Sequence, residues 1–195
     1  MDLTRRATSF SFVLASLPLL PHRRPLASPP LVRSLVVTLP STALAYRSRA
    51  ARALVLLHDE HLRRFLVVWR QAQAASVVLP KTDEPAYASL ETLLRHVLGA
   101  ARGYMTWMCE VLELPDPEIR IPPEPQALAA EADRYMEHVL EKWRTPLRDV
   151  GDDRLETPEY PSRWQTRYCI DAMLEHAVMH PIRHAFQLEE LMRQR

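Results

Sequence analysis

The stretch EHAVMHPIRHAFQLEEL, residues 175–191, decides how this chain is read. His176, His180 and His184 recur every fourth residue, the spacing that aligns side chains on one face of an α-helix. Pro181 directly follows the middle histidine, where a helix interior normally rejects it: proline has no N–H, and its ring crowds the carbonyl four residues back. Either the helix ends there or it continues with a bend. Phe186, Leu188 and Leu191 keep the helical period beyond the proline, so we expect one continuous helix, bent between His180 and His184. The Ala177 carbonyl then lacks its usual donor and is open to a water or a histidine N–H.

On a wheel of about 100° per residue, Met173, His176, Ala177, His180, His184, Leu188 and Leu191 share one arc. Asp171, Glu175, Arg183 and Glu189 fall on or near the far side. The histidines therefore sit within the apolar face. Buried imidazoles each need a partner, and a shared divalent ion satisfies two of them at once. The spacing HxxxH is a weak signal by itself, because core or rim histidines bonded to side chains and water share it. One ion does not take all three, since His176 and His184 are ~12 Å apart along a helix axis. His96, from another segment, lies at the edge of an apolar arc and supplies a third candidate ligand.

Outward from this stretch the chain reads as helical. Residues 46–76 contain no Pro or Gly and place Val55, His58, Leu62, Phe65, Leu66 and Trp69 on one face. Residues 86–114 carry an arc through Leu90, Leu93, Leu94, Val97, Ala101, Tyr104, Met108 and Val111. The segment PDPEIRIPPEP ends that helix. Residues 126–148 make a third helix, with Glu137 and Glu141 spaced for i,i+4 pairing on a solvated face. The turn-rich VGDDRLETPEYPS leads into the last helix, expected over 163–192. Alternating β patterns are absent, so we expect an all-α fold, a four-helix bundle.

The first 44 residues differ. They hold six of the 17 prolines, scattered arginines and no acid after Asp2. Arg5 and Arg6 precede the apolar SFVLASLPLL, but prolines interrupt it, so an export signal is not expected. We expect residues 1–44 to be a Pro/Arg-rich extension outside the fold, consistent with a start codon assigned too far upstream, and 45–195 to be the folded domain. The net charge of +1 excludes a strong electrostatic footprint for nucleic acid or an acidic membrane. Only 3 glycines argue against phosphate-binding loops. Cys109 and Cys169, with no CxxC, argue against a disulfide scaffold and fit a reducing, cytoplasmic setting. No run of 18 apolar residues suggests a membrane span.

LETLLRHVLGAARGYMTWM and LEHAVMHPIRHAFQLEEL together resemble the second and last helices of the DinB/YfiT-like superfamily of putative metal-dependent enzymes. The resemblance covers most of 46–192 and is specific in those two stretches. It implies a DinB-like four-helix bundle in which His96, His180 and His184 bind a divalent metal. It matches His176 to a frequent upstream histidine and Gln187 to the glutamine after the motif. It further implies a metal-dependent enzyme that activates a low-molecular-weight thiol toward a small electrophilic substrate, of S-transferase or isomerase type. A homodimer is a further implication. Alternatives are a metal-dependent hydrolase and a non-catalytic, stress-associated metal-binding bundle. Pro181 stands where a glutamate is frequent, and Ala185-Phe186 replace an arginine-glycine pair. The missing glutamate disfavours a zincin-type peptidase.

Three imidazoles leave an ion its full charge and open positions; zinc and nickel suit such ligands best, with iron a third candidate. His176, Gln187 or His58 are candidates to orient or deprotonate the second reactant. His58 lies on the apolar face of the first helix and reads more simply as a core or rim histidine. His61 and His138 read as helix-edge residues. Both cysteines read as small buried hydrophobes, and Trp69, Trp107, Trp143 and Trp164 as packing.

Overall fold

The structure, a computed structural model, describes residues 45–194. The expectations for residues 1–44 lie outside the described residues. Among the described residues there are six helices and one very short hairpin: α1 Arg49–Ala74, α2 Leu90–Val111, α3 Pro125–Ala130, α4 Ala132–Trp143, α5 Asp152–Glu156, β1 Tyr160–Pro161, β2 Arg167–Tyr168 and α6 Ile170–Arg193. A 3-10 turn over Pro85–Tyr87 precedes α2. The fold is mostly helical, as expected, and no helix among the described residues is long and apolar enough to cross a membrane.

The apolar arcs become the core. Val55, Leu62, Phe65, Leu66 and Trp69 of α1 are all buried, as are Leu93, Leu94, Val97, Ala101 and Met108 of α2. α6 packs against α1 and α2, and α4 packs against both α1 and α2, so the four helices share one apolar interior. Two buried indoles tie the layers with directional bonds: Trp69 Nε1 donates to the Leu90 carbonyl at 2.7 Å and Trp143 Nε1 to the Ala101 carbonyl at 3.1 Å. Buried N–H groups left without acceptors would each cost on the order of 1–3 kcal/mol.

Helix ends differ from expectation, for local reasons. α1 starts where Ser48, fully buried, accepts the Ala51 N–H at 3.1 Å. α2 starts with a reciprocal capping box between Ser89 and Thr92. α1 and α2 both stop two or three residues before the apolar pattern fades. In α2 the Leu114 N–H returns to the Cys109 carbonyl at 2.8 Å while Glu113 adopts a φ of 55°. The same reversal ends α1, with Val77 N–H on the Ala72 carbonyl at 2.9 Å. This six-to-one closure usually employs glycine, and its absence from the sequence hid both stops. Glu113→Gly is therefore expected to raise the unfolding free energy by up to about 1 kcal/mol, since glycine carries no left-handed penalty. Urea denaturation of the two proteins checks this.

The third predicted helix is two. Glu131, at φ −119° and ψ 22°, breaks it between α3 and α4. It ends at Trp143, ahead of Pro146, because proline disfavours helical backbone in the residue before it. Glu137 does not pair within its own helix; it binds Arg63 of α1, with Nη2 to Oε2 at 2.9 Å. The predicted loop at 150–162 contains α5, whose Arg154 donates to the Leu112 carbonyl at 2.8 Å and closes the end of α2.

The last helix begins at Ile170, not Arg163. Residues 160–168 form the antiparallel hairpin instead, with Tyr160 opposite Tyr168 and Pro161 opposite Arg167. Trp107 Nε1 of α2 donates to the Pro161 carbonyl at 3.1 Å and pins that hairpin to the helix. α6 then runs unbroken through Pro181, as the period beyond it demanded.

Candidate metal centre

His96 comes from the second turn of α2, and His180 and His184 from the middle of α6. The capping box fixes the start of α2, and the packing of Leu93, Leu94, Val97 and Leu98 into the core fixes its rotation, so His96 points toward α6 at the core's edge. On α6, Ala177, His180, His184 and Leu188 are buried on one stripe. The result is a cluster: one ring nitrogen from each of His96, His180 and His184 lies within 4.8 Å of the others. His180 Nε2 and His96 Nε2 are 3.1 Å apart. Two nitrogens bound tetrahedrally to one ion at 2.0–2.1 Å stand about 3.3 Å apart. The three-histidine group is thus able to hold a metal ion.

The surroundings keep these imidazoles neutral, the state that metal binding requires. Burial lowers the His180 pKa to about 2 and that of His184 to about 4, the positive charge of a neighbouring histidine adding to each. Burial lowers His96 as well, although His96 is the exposed member of the three. His184 also has its tautomer fixed. Its Nδ1–H donates to Gln187 Oε1 at 2.9 Å, which leaves Nε2 with a lone pair. Tyr87 O–H donates to the same oxygen at 3.4 Å. Among the described residues His180 Nδ1 is buried with no hydrogen-bond partner. Among the described residues no histidine ring N–H bonds the Ala177 carbonyl.

The remaining candidates separate. Gln187 belongs to the centre through His184. His176 does not join the three; it is half-buried one turn away, against Tyr104 at 5.4 Å and Trp164 at 5.6 Å between ring centroids. It lines a cavity of about 440 Å³ that also includes His96 and His180. His58 lies elsewhere. It is buried at 1% exposure and stacked on Trp143, centroids 3.7 Å apart and planes at 10°, with neither ring nitrogen bonded. A core histidine it is, but an unsatisfied one. His138 accepts the Arg120 N–H at 3.1 Å, and His61 is half-buried on α1. Both cysteines are free; burial raises Cys109 to about 11, which leaves it an unreactive thiol, and Cys169 is only half-buried at the start of α6.

The cavity also contains residues that sequence reasoning assigned otherwise. Trp107 and Trp164 form part of its wall; Trp107 is buried in the core as expected, whereas Trp164 is 46% exposed and is not core packing. Arg163, expected on a helix, arrives on the hairpin. Arg183, expected on the far side of α6, lines the cavity with His180 three residues before it. An i,i+3 pair lies only about 60° apart on the wheel, a signal that was available in the sequence.

Comparison of the chain with protein-family models, curated proteins and solved structures finds no match.

Proposed function

We propose that the chain is a DinB/YfiT-like four-helix bundle and a metal-dependent enzyme of thiol-transferase or isomerase type. The observation that carries this reading is the convergence of three neutral imidazoles from two helices beside an open cavity. The ring of α1, α4, α2 and α6 supports the bundle architecture. A three-histidine set with no fourth protein ligand among the described residues suits a reactive ion better than a closed structural one, and zinc or nickel fits imidazole donors. Such an ion, when bound, supplies the charge that turns a thiol into a thiolate.

The chain's own residues have separable tasks. Gln187, held by Tyr87, orients His184 and keeps its Nε2 unprotonated. His176 stands on the cavity wall clear of the three, and burial lowers its pKa, so it is neutral and able to accept a proton from the second reactant. Tyr104, Trp107 and Trp164 give that space an aromatic wall.

Cobalt-substituted protein tests the reading. Titration with glutathione is expected to bring a new sulfur-to-cobalt absorption in the near ultraviolet, and S-methylglutathione is expected to leave the spectrum unchanged. A spectrum indifferent to thiols overturns the transferase reading and leaves a hydrolase or a non-catalytic metal bundle.

A further inference from the structure

The cavity beside the three histidines has a charge pattern of its own. Among the described residues it is lined by Arg163 and Arg183 and by no aspartate or glutamate. On the surface Arg63, Arg64, Arg70 and Arg144 each pair with a carboxylate. Among the described residues Arg163 and Arg183 have neither an ion pair nor a side-chain hydrogen bond, and they come from different elements, the hairpin and α6.

Between the two cations the wall is apolar and flat-faced. Tyr104, Trp107, Trp164 and Met173 supply it, and Gly99 and Gly103 leave its α2 side open. A Cβ placed on Gly103 would meet no heavy atom nearer than Arg163 Nη1 at 4.0 Å, so the missing side chain creates space next to that guanidinium. The stretches of α2 and α6 that line the cavity are helical interior, with their backbone N–H groups already bonded. The cationic side chains open to an anion in this cavity are the guanidiniums of Arg163 and Arg183, which match a carboxylate in two parallel bonds. The volume of about 440 Å³ falls within the range of small-molecule sites.

We propose that this cavity binds an organic carboxylate with a flat apolar body: the carboxylate meets Arg163 and Arg183, the body lies against Trp107 and Trp164, and the far end faces His176 and the histidine cluster. This names the class of second reactant and so rests on the metal-centre reading for its role, but not for its recognition.

The test uses the full chain, metal-loaded and metal-free, titrated calorimetrically with 3-phenylpropionate, 3-phenylpropionamide and 2-phenylethyl phosphate. The acid is expected to bind at least ten-fold tighter than the amide and tighter than the phosphate. Arg163→Gln and Arg183→Gln are each expected to weaken the acid several-fold without changing the amide, and the double variant to abolish the preference. Gly103→Leu, which fills the space beside Arg163, is expected to abolish binding of both. Equal binding of acid and amide, no binding of either, a phosphate bound as tightly as the acid, or a preference surviving in the double variant overturns the inference. Metal content measured on the same samples separates the two claims. A full metal complement without acid preference contradicts this inference alone, whereas acid preference in a chain that takes up no metal contradicts the metal-centre reading alone.

Discussion

His184→Ala is expected to lower metal affinity more than 100-fold while leaving the fold in place. Loss of a partner that only orients a ligand costs 10- to 100-fold, so loss of one ligand of three must exceed that. Gln187→Leu supplies the smaller step: it removes the acceptor that holds His184 Nδ1–H and is expected to fall in the 10- to 100-fold range. His176→Ala is expected to leave affinity close to wild type, because His176 stands on the cavity wall and outside the cluster. Competition with a chromophoric zinc chelator measures all three, and circular dichroism confirms the helix content. Equal affinities for wild type and His184→Ala would show that the cluster is not the binding site.

The second large effect concerns His58, which is not one of the three clustered histidines. Both its ring nitrogens are buried without partners, and burial lowers its pKa from 6.5 to about 3, with the charge of His61 a smaller cause. The folded state therefore binds the proton more weakly than the unfolded chain does. Above pH 6.5 neither state is protonated and His58 imposes no pH dependence. As pH falls below that value the unfolded chain takes up a proton first, and stability declines by about 1.4 kcal/mol per pH unit until the folded group titrates near pH 3. His58→Phe keeps a ring against Trp143 and removes the titration. The difference in unfolding free energy between variant and wild type is expected to grow by several kcal/mol from pH 7 to pH 4. At neutral pH the variant gains about 1–3 kcal/mol from no longer burying unpartnered polar atoms. His58→Leu gives a second apolar replacement should phenylalanine overpack. Chemical denaturation across that pH range measures the difference, and parallel curves for all three proteins would contradict this account.

How much was legible follows from which forces act locally. The apolar arcs of α1, α2 and α6 were readable because burial imposes the helical period on the residues themselves. The same period put His180 and His184 on the core face and carried α6 through Pro181. The ends of α1 and α2 were not readable, because their left-handed stops use Ser76 and Glu113 in place of glycine. The hairpin was hidden for another reason. Its strands are two residues long, too short for any alternation, and it is held by the long-range bond from Trp107 to Pro161. Arg163 and Trp164 reach the cavity only by way of that hairpin. Arg183 was legible and was missed: three residues after His180 it lies only about 60° from it on the wheel. The stacking of His58 on Trp143 joins α1 to α4, a contact between distant segments that no local pattern encodes.

The most direct test of the metal centre is elemental analysis of the protein purified without a histidine tag, beside a variant carrying His96→Ala, His180→Ala and His184→Ala together. After equilibration with zinc or nickel and exhaustive dialysis, the wild type is expected to retain about one ion per chain and the triple variant none. A wild type that retains no metal, or a triple variant that retains as much, would contradict the assignment.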